Sequence, residues 1–394
     1  MQRFVALDSW RGLCACAVVV FHLAGNVNWS FRGTPLLGNF HLFVDFFFVL
    51  SGFVIAGAYE ARLRQGYGLV PFMILRLGRI YPLHIAMLAV LVIFAVARAL
   101  FPLADFRPGD IFDGDIYSFW AIFTNALLLH GIGFEHHLTW NYPSWSISAE
   151  VATYVLFALI WRFAVGYRNA LVTALLVLCP LVLALAPLDP FSVLNLVRCV
   201  AGFAAGVTAQ HLYRRVTERR IALPRGALAT LAETAVAIGA IGYVLCANFP
   251  DAVAFAPFVF APVVLVFAFE AGALSKALRL APFVALGTLS YSIYMVHAVL
   301  FAIAWRGVTL FEQATGLRIT ADIAGSAETL WGTAPWIGDM VMVGALAAVI
   351  GVSALTYRLI EAPGREWGRV LARRWEARRA RPAPAQASEA PTSG

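Results

Sequence analysis

Runs of about 20 apolar residues recur along the whole chain, and they constrain its fold more than any other feature. Hydrophobic side chains make up 61% of the 394 residues and charged side chains 13%, and the mean hydropathy is +0.78. Soluble domains carry about twice that charged fraction. In a bilayer the backbone polar groups must be bonded within the protein, which a helix achieves on its own. The sequence therefore predicts an all-α integral membrane protein.

About ten transmembrane helices are predicted, and arginine-rich loops alternate with acidic or near-neutral ones. Because basic loops favour the cytoplasmic side, this pattern predicts that both termini are cytoplasmic. The basic residues flank apolar segments and form no continuous patch, which disfavours nucleic-acid binding. The predicted helices are 10–28, 40–58, 80–101, 146–165, 168–187, 192–213, 227–248, 253–271, 283–305 and 336–360.

The chain is predicted to form one membrane domain, residues 1–365, followed by a cytoplasmic tail, residues 366–394. The tail begins as a basic stretch suited to a membrane surface and ends in a disordered segment. Two external segments, about 102–145 and 306–335, are long enough to have structure of their own.

Arg11 and His22 bracket the first apolar helix. At about 100° per residue, eleven residues return a helix to within about 20° of its starting direction, so both side chains share one face. They stand about 16 Å apart along the axis. This spacing predicts Arg11 at the membrane edge and His22 near the middle, where titratable groups are usually functional. A positively charged anchor and a buried, hydrogen-bonded histidine are the structural alternatives.

Two acidic residues are predicted to lie inside the membrane. Asp45 follows His41 by four residues in a phenylalanine-rich segment, where a carboxylate needs a partner. That partner could be His41 itself, in a structural pair, or His22 or Arg11 of the first helix. Glu150 lies one turn inside the fourth helix and could either orient His22 or belong to a helix-capping arrangement.

Arg76 and Arg79 lie three residues apart on one helix face at the predicted cytoplasmic surface. Two guanidinium groups suit a polyphosphate, which they can hold by paired hydrogen bonds. Contact with lipid headgroups is the alternative. The sequence has no glycine-rich phosphate loop, which disfavours a P-loop nucleotide site.

Further polar side chains occur at the start of the fourth helix and along one face of the ninth. In the ninth helix Ser290, Tyr294 and His297 follow the spacing i, i+4 and i+7, so they should face the bundle interior. Such a stripe forms either a hydrogen-bonded seam or a substrate wall. The eight histidines show no zinc-ligand spacing, so no metal site is predicted. The candidate substrate-binding residues are Trp145, Ser146, Ser148, Tyr294 and His297.

Taken in order, these motifs resemble the acyltransferase-3 family of integral-membrane O-acyltransferases. The resemblance covers roughly residues 5–365. Some members carry an extracytoplasmic esterase-like domain, and from the length of the sequence we expect none here. The matching elements are Arg11 with His22, Asp45 to Phe53, Arg76-Leu-Gly-Arg79 followed by Tyr81-Pro82, Trp145 to Glu150, Leu286 to His297, and Thr356 to Pro363.

The resemblance implies acyl transfer from cytoplasmic acyl-CoA, with acetyl favoured, to a hydroxyl of a cell-surface or lipid-linked glycan. Acyl-CoA is then a donor substrate, and no permanently bound cofactor is expected. Arg76 and Arg79 would hold the CoA phosphates, and Arg11 would guide the thioester inward. His22 would act as general base or transient acyl carrier. Asp45 or Glu150 would orient its imidazole.

Two other hypotheses fit parts of the pattern. A polysaccharide exporter or flippase would use the polar helix faces as a conduit. A proton-coupled transporter would be built around His22, Asp45 and Glu150, although no internal repeat supports a transporter fold. The predicted partners are membrane lipid, acyl-CoA and a glycan. The sequence indicates neither the acceptor sugar nor an oligomeric state.

Overall fold

The computed structural model describes residues 3–100, 116–186, 193–249, 251–322 and 329–380, and these residues are almost entirely helical. The described strands form one short antiparallel pair. The α-helices are α1 Val5–Ala24, α2 Phe43–Arg64, α3 Leu69–Leu100, α4 Phe119–Ala126, α5 Trp145–Phe163, α6 Arg168–Leu185, α7 Leu194–Glu218, α8 Ala227–Cys246, α9 Ala252–Ala268, α10 Ala273–Leu278, α11 Ala281–Thr315, α12 Pro335–Thr356 and α13 Ala362–Ala380.

The all-α membrane fold is confirmed. Eight described helical segments are long and apolar enough to cross a membrane, and α9 is apolar but has 17 residues. Each of the ten predicted segments coincides with a helix. The exact number of spans and the position of the termini stay predictions. Helix α7 packs among α2, α5, α6 and α9.

The predicted start of the first helix, at residue 10, is five residues too late. Helix α1 begins at Val5, so Arg11 lies within the helix and His22 lies in its last turn. His22 is therefore near one end of α1 rather than halfway along a span. Asp8 and Ser9 both lie inside the helix. Asp8 pairs with Arg3 and Arg11, and Ser9 has a partner outside α1. The Ser9 hydroxyl donates to the Leu278 carbonyl at 2.6 Å.

Glycines bring helix backbones together at several crossings, two of which involve α1 and α2. A Cβ at Gly12 of α1 would overlap the backbone at Leu286 and Gly287 of α11, and a Cβ at Gly52 of α2 would overlap the Phe203 carbonyl of α7. Gly52 thus permits a close approach of α2 to α7. Small residues at such crossings allow the tight packing that drives helix association in membranes.

Helix α11 extends ten residues beyond its predicted end, to Thr315, and shortens the second predicted external segment. That segment continues into the hairpin of β1 Thr320–Asp322 and β2 Thr329–Trp331. The chain after α1 is held against this hairpin, because the Trp331 amide donates to Asn26 at 3.0 Å. In the first predicted external segment, 102–115 lie outside the described residues.

The predicted domain boundary at residue 365 falls inside continuous helical structure. A π-helical turn, Tyr357–Glu361, joins α12 to α13. Helix α13 then packs against α3, where Gly78 lies close to Gly364 and Gly368. The basic part of the predicted tail is thus attached to the bundle up to the end of the described residues, and 381–394 lie outside them.

Candidate active site

A cavity of about 790 Å³, counted with its open mouth, lies between α1, α2, α3, α5 and α11. Its walls are mostly apolar, with a few convergent polar groups, as is usual for small-molecule sites. Four charged side chains reach it from three helices: Arg11, Arg76, Arg79 and Glu150. The structure thus brings together the three arginines that the sequence analysis assigned to donor binding. We call this part of the bundle the arginine end.

Arg11 is held by neutral acceptors on α11. Its Nε donates to Ser290 Oγ at 2.7 Å, and its Nη2 donates to the Gly287 carbonyl at 3.1 Å. Asp8 lies 3.7 Å from the same guanidinium. Two hydrogen bonds therefore set the direction of the side chain, and its positive charge is only loosely balanced.

Arg76 and Arg79 both line the cavity from α3. Arg76 donates to the Tyr59 hydroxyl at 2.9 Å, and its guanidinium lies 4.9 Å from the centre of that ring. Within the described residues, Arg79 has no ion-pair partner within 4.0 Å. It lies close enough to interact electrostatically with the buried Glu361. Both guanidinium groups therefore keep donors available for an anionic ligand.

Glu150 does not orient His22 as predicted. Its carboxylate accepts hydrogen bonds from Ser51 and, at 2.5 Å, from Tyr154. All three side chains line the cavity at the arginine end. The prediction failed because Glu150 lies one turn along α5, on the face that Ser146 shares, and that face meets α2 and the cavity rather than the end of α1.

Asp45 is likewise not a partner of His22 or His41. It is completely buried and forms an ion pair with Arg198 of α7, at 2.7 Å to Nε and 2.5 Å to Nη2. Arg198 also donates to the His41 carbonyl at 3.3 Å. Because the Asp45 carboxylate and the Arg198 guanidinium neutralise each other within apolar packing, we interpret this ion pair as structural. Sequence reasoning missed Arg198, although an arginine inside an apolar helix is itself a signal.

His22 belongs to a cluster of rings at the opposite end of the same helices. It stacks on His297 with a centroid distance of 5.2 Å and an interplanar angle of 21°, and it meets Tyr142 edge-on at 4.7 Å. Among the described residues no partner of ordinary geometry is found for either ring nitrogen of His297, although the Ile293 and Tyr294 carbonyls are nearby. We call the cluster of His22, His297 and Tyr142 the histidine end.

The two predicted polar stripes face each other. Ser290 accepts from Arg11 and, seven residues later on α11, His297 stacks on His22. Because both contacts advance in the same direction, α1 and α11 run parallel from the arginine end to the histidine end. Neither His22 nor His297 lines the cavity, however. The cavity and the histidine pair are neighbouring compartments along one helix pair.

The candidate substrate-binding residues divide into two groups. Ser146 and Tyr294 line the cavity and lie 2.9 Å apart through their hydroxyl oxygens. Trp145 packs against Phe48 and Arg198, outside the cavity wall. Ser148 is buried and bonds to the Leu128 carbonyl and the Gly131 amide, so it attaches α5 to the preceding loop.

A second stacked histidine pair lies away from the cavity. His130, in the loop before α5, stacks on His84 with centroids 5.8 Å apart, and its Nε2 lies 2.9 Å from Ser144 Oγ. Burial, and next the neighbouring His84 ring, lower the pKa of His130 to about 3. His130 therefore stays neutral across the range in which an ordinary histidine titrates.

Several residues of the site were not singled out from the sequence. Tyr154 could have been found, because it lies four residues after Glu150 and carries a hydroxyl on the same helix face. Ser51 and Glu361 lie in elements that match the family, but sequence reasoning identified no partner for either. Tyr59 gave no signal, since its partner Arg76 lies beyond a loop. These side chains supply the hydrogen bonds that position the charged groups.

Comparison with known proteins shows which family the chain resembles in sequence. The chain is similar to Protein 2 in the picA locus of Rhizobium radiobacter, at 30% identity over 40% of this chain and 82% of that protein. It is 31% identical to acyltransferase MdmB of Streptomyces mycarofaciens, over 41% of this chain and 40% of MdmB. It is 30% identical to peptidoglycan O-acetyltransferase OatA of Listeria monocytogenes, over 38% of this chain and 23% of OatA. No solved structure matches.

The aligned regions thus span less than half of MdmB and OatA. A family model described as an acyltransferase domain matches residues 4–358, nearly the whole chain. Family membership favours catalysis of acyl transfer over the exporter and transporter hypotheses. The chain belongs to the acyltransferase-3 family and is an integral membrane acyltransferase.

Proposed function

We propose that the protein transfers an acyl group, with acetyl favoured, from acyl-CoA to a hydroxyl of a cell-surface or lipid-linked glycan. The observation that carries this proposal is the convergence of Arg11, Arg76 and Arg79 on one largely apolar cavity. The CoA phosphates are strong acceptors for guanidinium donors. The apolar walls suit the less polar arm that carries the thioester.

In the proposed transfer one bond forms, one bond breaks and a base moves one proton. The acceptor oxygen attacks the thioester carbonyl carbon, the C–O bond forms and the C–S bond breaks. His22 takes the proton of the hydroxyl and returns it to the departing CoA thiolate. In this proposal His22 is a general base, and a base must come within hydrogen-bond reach of the proton it removes.

The separate ends of the site suit substrates that arrive from opposite sides of the membrane. Arginines at the ends of α2, α5 and α7 support a cytoplasmic arginine end, with both termini in the cytoplasm of a bacterial cell. The histidine end would then face the extracytoplasmic side, where surface glycans are modified. The name of OatA, a peptidoglycan O-acetyltransferase, supports a glycan acceptor.

Mass spectrometry of surface glycans from cells with and without the protein tests the proposal. We expect an added acyl mass only when the protein is present. In membrane vesicles that contain the protein, a labelled acyl group supplied as acyl-CoA to the cytoplasmic face should appear on the glycan. His22→Ala should lose the transfer, whereas His136→Ala, at an exposed loop histidine, should retain it. Glycans of identical mass in both strains would contradict the proposed activity.

A further inference from the structure

The cavity ends one layer of side chains before the histidine pair. Phe47 of α2 and Tyr294 of α11 both line it, and their rings meet edge-to-face at a centroid distance of 5.8 Å and an angle of 86°. The Tyr294 ring also lies 6.0 Å from His297, which stacks on His22. Tyr294 therefore lies between the cavity and the histidine pair, and Phe47 packs beside it on the cavity side.

The two rings are held very differently. The Tyr294 hydroxyl donates to the Pro143 carbonyl at 2.9 Å and lies 2.9 Å from Ser146 Oγ, so it is tied to the start of α5. Phe47 has only apolar contacts to hold it. The other residues from Leu42 to Leu50 are all buried, whereas Phe47 is partly exposed and lines the cavity.

Phe47 also lies at the right level along the helix pair. It packs against a cluster that contains Val19 of α1 and Ile293 of α11. Val19 lies between Arg11 and His22, and Ile293 lies between Ser290 and His297. A donor whose phosphates bind the arginines and whose thioester points toward His22 would therefore bring its acyl chain to the Phe47 ring.

We propose that Phe47 determines which acyl chains the enzyme accepts, by forming the wall that a short chain contacts and a long chain cannot pass. This inference rests on the proposed function, since it assumes an acyl-CoA donor in the cavity. The bulk of the ring leaves room for an acetyl group beside Tyr294 and excludes additional methylenes. Tyr294, which is fixed by its hydroxyl, is the stationary side of this boundary.

The test is the acyl-chain profile of purified full-length protein with acetyl-, butyryl- and hexanoyl-CoA, read as kcat/KM for CoA release in the presence of glycan acceptor. In Phe47→Ala the ratio for hexanoyl-CoA over acetyl-CoA should rise about tenfold or more, the scale of pocket discrimination for a few methylenes. Phe47→Leu should give a smaller rise, and Phe47→Trp should lower the butyryl-CoA ratio.

Phe46→Leu is the matched control, because Phe46 is the preceding ring on α2 but packs against Trp10 and Phe260 away from the cavity. It should keep the wild-type ratio. If Phe47→Ala fails to fold, the Leu and Trp variants decide the question. Unchanged ratios in folded Phe47 variants of an active enzyme would overturn the role of Phe47 alone. A wild-type protein that releases no CoA would instead refute the proposed function, and this role with it.

Discussion

The arginine end and the histidine end of α1 differ in the partners that their polar side chains have inside the bundle. At the arginine end, Arg11 and Arg76 are bonded to hydroxyl and carbonyl oxygens, which are neutral. At the histidine end, rings stack on rings and uncharged imidazoles can be buried among them. The first arrangement preserves positive charge for a ligand, and the second buries the His297 ring completely while His22 stays partly exposed.

Arg198 is an arginine with a structural role, and its partner differs in charge from those of Arg11 and Arg76. Its guanidinium is bonded to the buried Asp45 carboxylate by two short hydrogen bonds. An ion pair of this kind is complete and has no charge left to attract a substrate. The chemistry of the partner therefore distinguishes arginines prepared for a ligand from one that holds helices together.

The largest expected effect belongs to the histidine end. His22→Ala should lower kcat by about 10²- to 10⁴-fold, the usual contribution of a general base. Affinity for a non-hydrolysable thioether analogue of acyl-CoA should stay within a few-fold of wild type, because the arginines lie at the other end. Isothermal titration calorimetry measures it. A parallel loss of analogue binding would show that the two ends do not act separately.

The second prediction concerns the structural pair. Arg198→Ala should lower the free energy of unfolding by about 3–5 kcal/mol, because it leaves Asp45 buried without a counter-charge. The double variant Asp45→Asn/Arg198→Gln should be less destabilised, and it should retain acyl transfer. Thermal unfolding in detergent and the CoA-release assay report these quantities. An inactive but stably folded double variant would restore Asp45 as a catalytic candidate.

Loss of the paired arginines should affect donor binding. Arg76→Gln with Arg79→Gln should raise KM for acyl-CoA substantially, since each hydrogen bond to a charged group contributes about 1.5–3 kcal/mol. The matched control is Arg162→Gln, at an exposed arginine near the end of α5. At saturating acyl-CoA the double variant should retain its kcat. An unchanged KM would mean that these arginines contact lipid or structure instead of donor.

The prediction with the smallest expected effect concerns the crossing of α1 and α11, the two helices that connect the arginine end to the histidine end. Gly287→Ala would place a methyl group against the Asp8 carbonyl of α1 and should destabilise the protein by about 1–3 kcal/mol through overpacking. Gly344→Ala, where a Cβ meets open space, should be neutral or slightly stabilising, because alanine favours helix. Equal melting temperatures for the two variants would argue against a tight α1–α11 crossing.

Helical periodicity predicted best which side chains share one face of a helix. The stripe of Ser290, Tyr294 and His297 is aligned as expected, and two of its members contact Arg11 and His22. The prediction failed for Asp45 and Glu150, because the partner of a buried carboxylate is chosen by packing between helices. Arg198 follows Asp45 by more than 150 residues, and no local spacing relates them.

The sequence by itself determined the membrane character, the positions of the helices along the chain, the family and the residues that could take part in catalysis or binding. Local apolar runs and periodicity are sufficient for these features, since a helix satisfies its own backbone. Only the tertiary structure decided which charges are neutralised and which face the cavity. It also placed Tyr294 between the cavity and His297, with Phe47 packed beside it. Those outcomes depend on which helices cross and at what height, and helix packing, not local sequence, sets both.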